Sequence, residues 1–283
     1  MMIEAIKSNS KLIVLGVITA SLTTIPPILI SWLIDGNSSS ISNLYILSIL
    51  IIVLLLKPGA NFFSKHLVLN LNKESSLDLK VKLYTNILNK NKVIKGNIYD
   101  LVDGDIDKSL FLHHQIYYDL TTSITIIITS LIFLTNISFY LLLPFLGIIF
   151  IFLIQFSISK FFTKDLYKNY IEKTSSYIEN VVENIEKNKK IDLEKSDSLI
   201  KESFKVKLKG SLFESLNSSN YIFSIFLITY FFINYDYGIT IGNSVSSILY
   251  LERILSSLNL LVVIYFASKE AISRKLRMKT SSI

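Results

Sequence analysis

The middle of the chain holds 40 consecutive residues without a charge, 120–159, with the sequence LTTSITIIITSLIFLTNISFYLLLPFLGIIFIFLIQFSIS. As a single helix this block would be about 60 Å long, which is twice the hydrocarbon thickness of a bilayer, about 30 Å. A turn-like Asn136-Ile137-Ser138 divides the block at its centre. The block therefore predicts two membrane helices joined by a short hairpin turn.

Two further blocks share this design. Residues 12–56 contain one charge, Asp35, next to a turn-like Gly36. Residues 215–268 contain only Asp236, Glu252 and Arg253, and the turn-like stretch is 234–238. Three hairpins predict an all-α membrane protein in which residues 1–283 form one domain with six transmembrane helices. The predicted spans are 12–34, 41–63, 119–136, 139–161, 216–235 and 239–266.

Composition excludes several classes of protein. Hydrophobic residues make up 51% of the chain and charged residues 18%, which leaves too little polar surface to cover a soluble globule. With no cysteine, the chain has no disulfides, thiolate nucleophiles or Cys-based metal sites. Three histidines are too few to favour another metal site. We predict no catalytic, cofactor-binding or metal-binding residues on this chain, because the acidic residues and histidines lie almost wholly outside the predicted spans.

The basic residues predict the orientation of the helices. Of the 29 Lys and Arg side chains, 28 lie in the N-terminal segment, in 57–119, in 160–214 or after residue 268, and the exception is Arg253. None lies in a hairpin turn. The positive-inside rule then places both termini in the cytoplasm, and the net charge of +7 needs no nucleic-acid partner. Richness in Ile, Lys and Asn suggests a bacterial source, hence the bacterial plasma membrane.

The two charged segments, 57–119 and 160–214, are predicted to be helical extensions of the membrane helices. Their apolar residues recur at helical spacing, as in Leu77, Val81 and Leu88. The alternative, a solvated loop, would leave this apolar stripe without a use. The extensions are long enough to project a few nanometres into the cytoplasm.

A series of short matches, in order along the chain, resembles the transmembrane domain of ABC exporters of the six-helix multidrug, lipid and peptide type. The resemblance covers residues 12–274 and rests on hairpin order, segment lengths and these stretches: 83–88 (LYTNIL), 96–98 (GNI), 105–106 (DI), 178–185 (IENVVENI), 238–243 (GITIGN) and 271–274 (AISR).

The resemblance implies that two such chains, a second copy or a related permease, form a translocation path in membrane lipid. The chain has no G-x-x-x-x-G-K-[ST] phosphate-binding motif. ATP and Mg²⁺ are therefore expected on a separate ATP-binding subunit, and the alternative is an ATP-binding domain of the same polypeptide that follows residue 283. By the resemblance, the coupling helices that contact this subunit contain Lys90, Asn91, Lys92, Val93, Ile94, Lys95, Ser176, Tyr177, Glu179, Asn180 and Glu183.

Glu252 and Arg253 are the candidates for the translocation path, because charges at membrane depth mark functional sites. They are adjacent on one helix, about 100° apart around its axis, so they pair poorly with each other. They either contact a polar substrate or have a structural role. In the structural role they would pair with charged groups of the second chain of the dimer or of a neighbouring helix. The same alternatives, path lining or close packing, apply to the polar residues Ser256, Asn259, Thr125 and Thr129.

The expected function is that of a permease subunit for ATP-driven export, with a peptide as the first choice of substrate. Lipid or drug export by the same fold is the alternative within this class. An ion-coupled carrier or channel, and an immunity membrane protein without an ATPase partner, are the alternatives outside it.

Overall fold

The computed structural model describes residues 9–36, 43–89, 106–163 and 239–281, with single positions and short runs between 197 and 230. This part of the chain is all-helical, and none of its residues lies in a strand. Its long helices are α1 (Ser10–Asp35), α2 (Asn43–Asn89), α3 (Ile106–Ile137), α4 (Leu142–Thr163) and α5 (Ile241–Ser281).

Five helical segments in the described part are long and apolar enough to cross a membrane: Ser10–Asp35, Asn43–Lys82, Ile106–Ile137, Phe139–Ile158 and Ile241–Lys269. The prediction of a helical chain with several spans of membrane length is thereby confirmed. The predicted span 216–235 falls largely outside the described residues, although 222–227, 229 and 230 are helical. A count of six spans stays a prediction.

Two helices are much longer than a bilayer is thick. The 47 residues of α2 correspond to about 70 Å and the 41 residues of α5 to about 60 Å, against about 30 Å of hydrocarbon. Pro58 lies inside α2 without ending it. Each helix therefore continues beyond the length that a bilayer could cover.

The turns at two predicted hairpins have clear local causes. Gly36 follows α1 with φ 61°, the left-handed conformation that glycine adopts at low cost after a helix. Ser138 interrupts the helix with φ −162° and ψ 129°, and a 3-10 turn, Phe139–Leu141, follows before α4. The Leu141 N–H donates to the Ser138 carbonyl at 3.1 Å, which starts the returning helix.

The apolar surface of α2 is largely uncovered. Its most apolar window has a mean hydropathy of 2.1, and only 11% of that window is buried within the chain. Large side chains such as Leu55 and Phe62 are 70% and 68% exposed. A soluble protein rarely exposes so continuous an apolar surface, whereas lipid would cover it.

The chain divides into two compact units. The first comprises Met1–Leu67, Tyr117–Ser157 and Leu216–Ile264, and the second Val68–Ile116, Ile158–Ser215 and Tyr265–Ile283. In the first unit α1 and α3 pack closely at Gly16, where an added Cβ would lie 3.1 Å from Thr122 Oγ1. The fully buried side chains of this unit include Leu12, Leu134, Leu141, Phe145, Tyr250, Leu251 and Ile254.

Candidate functional site

Three charged side chains of the first unit lie within electrostatic range of one another, and we call them the charge cluster: Lys57 of α2 with Glu252 and Arg253 of α5. Lys57 is close enough to both α5 residues to interact with them electrostatically. All three side chains are partly buried. The ion pairs between described residues, Lys80–Asp107, Lys82–Asp78 and Lys201–Asp197, involve none of the three. With one Lys, one Arg and one Glu, the cluster has a formal net charge of +1.

Buried hydrogen-bonding groups without a partner occur on α5 and on α3. Among the described residues of the first unit, the buried polar atoms without a partner are Arg253 Nε, Asn259 Oδ1, Ser246 Oγ, Ser123 Oγ and Ser130 Oγ. Buried polar groups in folded proteins are nearly always hydrogen-bonded, so a set of unpartnered ones requires an explanation. On α5, Arg253 is the one residue of the charge cluster with such an atom.

Tyr250 of α5 reaches α1 next to the turn that contains two prolines. Pro26 and Pro27 have no amide N–H, which weakens the hydrogen bonding of this turn. The Tyr250 hydroxyl, in a fully buried side chain, donates to the Thr24 carbonyl at 3.1 Å. Its ring stacks on Phe133 of α3 with 5.4 Å between the ring centroids. One side chain thus joins three helices.

Contacts between the end of α1 and the start of α5 form what we call the α1–α5 junction. Asp35 Oδ1 accepts from the Gly242 backbone N–H at 2.8 Å, and Oδ2 accepts from the Thr240 hydroxyl. The Ser31 hydroxyl donates to Asn243 Oδ1 at 2.9 Å. A carboxylate is favoured here because the N-terminus of a helix carries a partial positive charge. A Cβ on Gly242 would lie 2.4 Å from the Ser31 carbonyl oxygen, so only glycine fits.

In the second unit, Asp107 connects the first turn of α3 to α2. Its Oδ1 accepts a hydrogen bond from the Ser76 hydroxyl, and its Oδ2 lies 3.1 Å from Lys80 Nζ. A second ion pair, Lys82–Asp78 at 2.6 Å, lies within α2 itself. The charged part of α2 is therefore held against α3 by a polar contact in addition to packing.

The residues predicted for the translocation path divide into two groups. Glu252 and Arg253 belong to the charge cluster, with Ser256 exposed one turn further along α5. The two threonines lie on α3, where the Thr129 hydroxyl donates to the Thr125 carbonyl at 2.7 Å and so is used within its own helix. The predicted coupling residues, 90–95 and those between 176 and 183, lie outside the described residues. In the part of the chain that the structure describes, no three His, Asp or Glu side chains are placed to hold a metal.

Three structural features were not predicted from the sequence. Lys57 belongs both to the predicted span 41–63 and to the charged segment 57–119, and its electrostatic contact with α5 was not predicted. The contact of Tyr250 with α1 has no signal in the residues around Tyr250. The third feature is the α1–α5 junction. Its sequence signals were Asp35, the one carboxylate of its block, and Gly242, a glycine near the start of a predicted helix, which permits another helix to approach closely.

No protein-family model matches this sequence, and no curated protein shows a significant match to it.

Proposed function

We propose that this chain is a permease subunit of an ABC-type transporter and forms a translocation path as a dimer in the bacterial plasma membrane. Separate ATP-binding subunits would bind ATP and Mg²⁺ on the cytoplasmic side, where both termini of the chain also lie. The transport direction we propose is export, and the proposed substrate is a peptide.

The observation that carries this proposal is the composition and burial of α2. One uninterrupted helix combines an apolar part that is 11% buried with a part in which Lys and Asp side chains pair with one another and with α3. Lipid would cover the first part, and water would solvate the second. A carrier or channel that works without a cytoplasmic motor does not require such a helix. A transporter driven from outside the membrane requires it as a lever.

The contacts in the second unit support the role of a lever. A lever transmits movement only if it resists bending, and the polar contact of Asp107 with Ser76 and Lys80 makes α2 and the start of α3 a two-helix element. Movement imposed by a nucleotide-dependent partner could then shift packed helices as rigid bodies between two arrangements.

The test is purification of the affinity-tagged full chain from the cells that make it, in a mild detergent, followed by reconstitution in lipid nanodiscs. We expect a subunit with a phosphate-binding G-x-x-x-x-G-K-[ST] motif to copurify, and the complex to hydrolyse ATP in a vanadate-sensitive manner. The chain purified alone should have no ATPase activity. Proteoliposomes with the complex should accumulate a peptide substrate only in the presence of ATP.

Two matched aromatic variants sharpen this experiment. Tyr177→Ala alters a predicted coupling helix and should reduce both copurification and ATP hydrolysis. Phe139→Ala alters an aromatic side chain that is 73% exposed at the opposite end of the predicted membrane helices, and it should leave both unchanged. Saturable, nucleotide-independent transport by the chain alone would overturn the proposal in favour of an ion-coupled carrier.

A further inference from the structure

The charge cluster has the composition of an anion-binding site. Lys57 and Arg253 contribute two positive charges and Glu252 one negative charge, and Lys57 interacts electrostatically with both of the others. Glu252 and Arg253 follow each other on one helix and project about 100° apart, so they cannot neutralise each other by direct pairing. A net positive charge in a partly buried, apolar environment attracts an anionic group strongly, because water screens it poorly.

Arg253 in particular lacks the partners that a buried guanidinium requires. Its Nε is buried and has no hydrogen-bond partner in the described part of the chain. Guanidinium groups present several donors in a planar fork that matches a carboxylate or phosphate. Ser256, three residues further along the same helix, is exposed and places a hydroxyl one turn away. The group best suited to fill this arrangement is therefore an oxyanion.

The depth of the cluster argues against a headgroup of the surrounding lipid as the oxyanion. On α5, the uncharged stretches 241–251 and 254–268 flank the charged pair, which corresponds to about 16 Å of helix on one side and about 22 Å on the other. Lys57 lies 14 residues, or about 21 Å, from the start of α2. Lipid headgroups lie at the surface of a hydrocarbon layer about 30 Å thick, so the cluster lies near the middle of that layer.

We propose that Lys57, Glu252, Arg253 and Ser256 form a binding site for one carboxylate of an apolar solute, such as the C-terminal carboxylate of a hydrophobic peptide. Arg253 would bind both carboxylate oxygens, Lys57 would supply a second positive charge, and Ser256 a further donor. Glu252 limits the net charge of the empty site to +1, so that the bound state is neutral. This inference rests on the proposed function, since it requires a solute to enter the membrane part of the chain.

The probe for the test is a dansylated Leu-Phe-Ile-Leu tetrapeptide in two forms, one with a free C-terminal carboxylate and one with a C-terminal amide. Binding to the full chain in phosphatidylcholine nanodiscs is measured by dansyl fluorescence, without nucleotide or partner subunit. We expect the acid to bind at least about tenfold more tightly than the amide, since a charge-assisted hydrogen bond contributes enough for this ratio. Equal affinities would overturn the proposal.

Variants separate a binding role from a merely structural one. Arg253→Gln and Lys57→Gln should each abolish the preference for the acid, while Lys57→Arg should retain it and report correct folding. Glu252→Gln raises the net charge of the site to +2 and should strengthen acid binding, an effect that loss of a structural ion pair would not produce. Lys65→Gln, which removes an exposed lysine two turns further along α2, is the matched control and should change nothing.

Two other outcomes would assign the cluster differently. If Arg253→Gln dissociates a dimer and the charge-exchanged double variant E252R/R253E restores it, the cluster joins two copies and the proposal fails. If phosphatidylglycerol in the nanodisc displaces the acid peptide, the site belongs to a lipid headgroup, and the proposal fails as well. An acid preference without ATP-driven transport would contradict the proposed function alone, and transport without an acid preference would contradict this site alone.

Discussion

Replacement of Gly242 by alanine places a methyl group where the α1–α5 junction has no space for one. The added Cβ would lie 2.4 Å from the Ser31 carbonyl oxygen and 2.6 Å from the carboxylate carbon of Asp35. Both neighbours belong to α1, and the nearer one is backbone, which cannot rotate away as a flexible side chain can. The helix ends must therefore separate by about 1 Å to reach ordinary van der Waals contact.

The cost of this separation has two components. Overpacking of a close contact typically destabilises a protein by about 1–3 kcal/mol. Movement of Gly242 also lengthens the 2.8 Å hydrogen bond from its N–H to Asp35 Oδ1, and such charge-assisted bonds contribute about 1.5–3 kcal/mol. The higher helix propensity of alanine offsets at most about 1 kcal/mol of this destabilisation. We therefore expect Gly242→Ala to lower the free energy of unfolding by about 2–4 kcal/mol.

Thermal unfolding of the purified chain in detergent measures this effect, with tryptophan fluorescence as the signal. The chain has a single tryptophan, Trp32, which follows Ser31 at the end of α1 and reports on the junction directly. Gly147→Ala is the matched control, because a Cβ at that position in α4 has no atom within 4 Å. The control should melt at or slightly above the parent temperature. Equal melting temperatures for the two variants would refute the reasoning about the junction.

Two further predictions concern single hydrogen bonds. Tyr250→Phe keeps the stacked ring but removes the hydroxyl that donates to the Thr24 carbonyl, so it should destabilise the chain by about 1 kcal/mol in the same melting assay. An unchanged melting temperature would mean that this bond contributes nothing. Asp107→Ala removes the contact between α3 and α2, and we expect severalfold faster amide hydrogen exchange in residues 70–82. Asp78→Ala breaks only an exposed pair within α2 and should leave exchange nearly unchanged, so equal effects of the two variants would contradict the role given to Asp107.

The sequence predicts the helices well because their signal is local. Long uncharged blocks and a turn-like residue such as Asn136 are properties of short stretches of chain, and the structure has the end of α3 and the start of α4 at that place. The continuation of α2 to Asn89 also follows from local apolar periodicity. The ends of these helices can therefore largely be predicted from local sequence.

The contacts between helices are less predictable because they depend on which faces meet. Nothing in the sequence around Tyr250 indicates that its hydroxyl reaches α1, more than two hundred residues earlier. Lys57 and Glu252 are also far apart in the chain, and their electrostatic interaction depends on the relative rotation of α2 and α5. Charge and position within an apolar block identify Glu252 and Arg253 as candidates for the translocation path. Their neighbour on another helix, Lys57, can be identified only from the three-dimensional packing.

In the proposed arrangement, long helices cross the membrane and continue into the cytoplasm, and the accessibility of single cysteines on the two parts measures this. The chain has no native cysteine, so Asn136→Cys at the end of α3 and Glu74→Cys on the extension of α2 each carry a single reactive group at an exposed position. In intact cells, a membrane-impermeant maleimide should label Asn136→Cys and should label Glu74→Cys only after permeabilisation. Labelling of Glu74→Cys in intact cells as rapid as that of Asn136→Cys would contradict this arrangement.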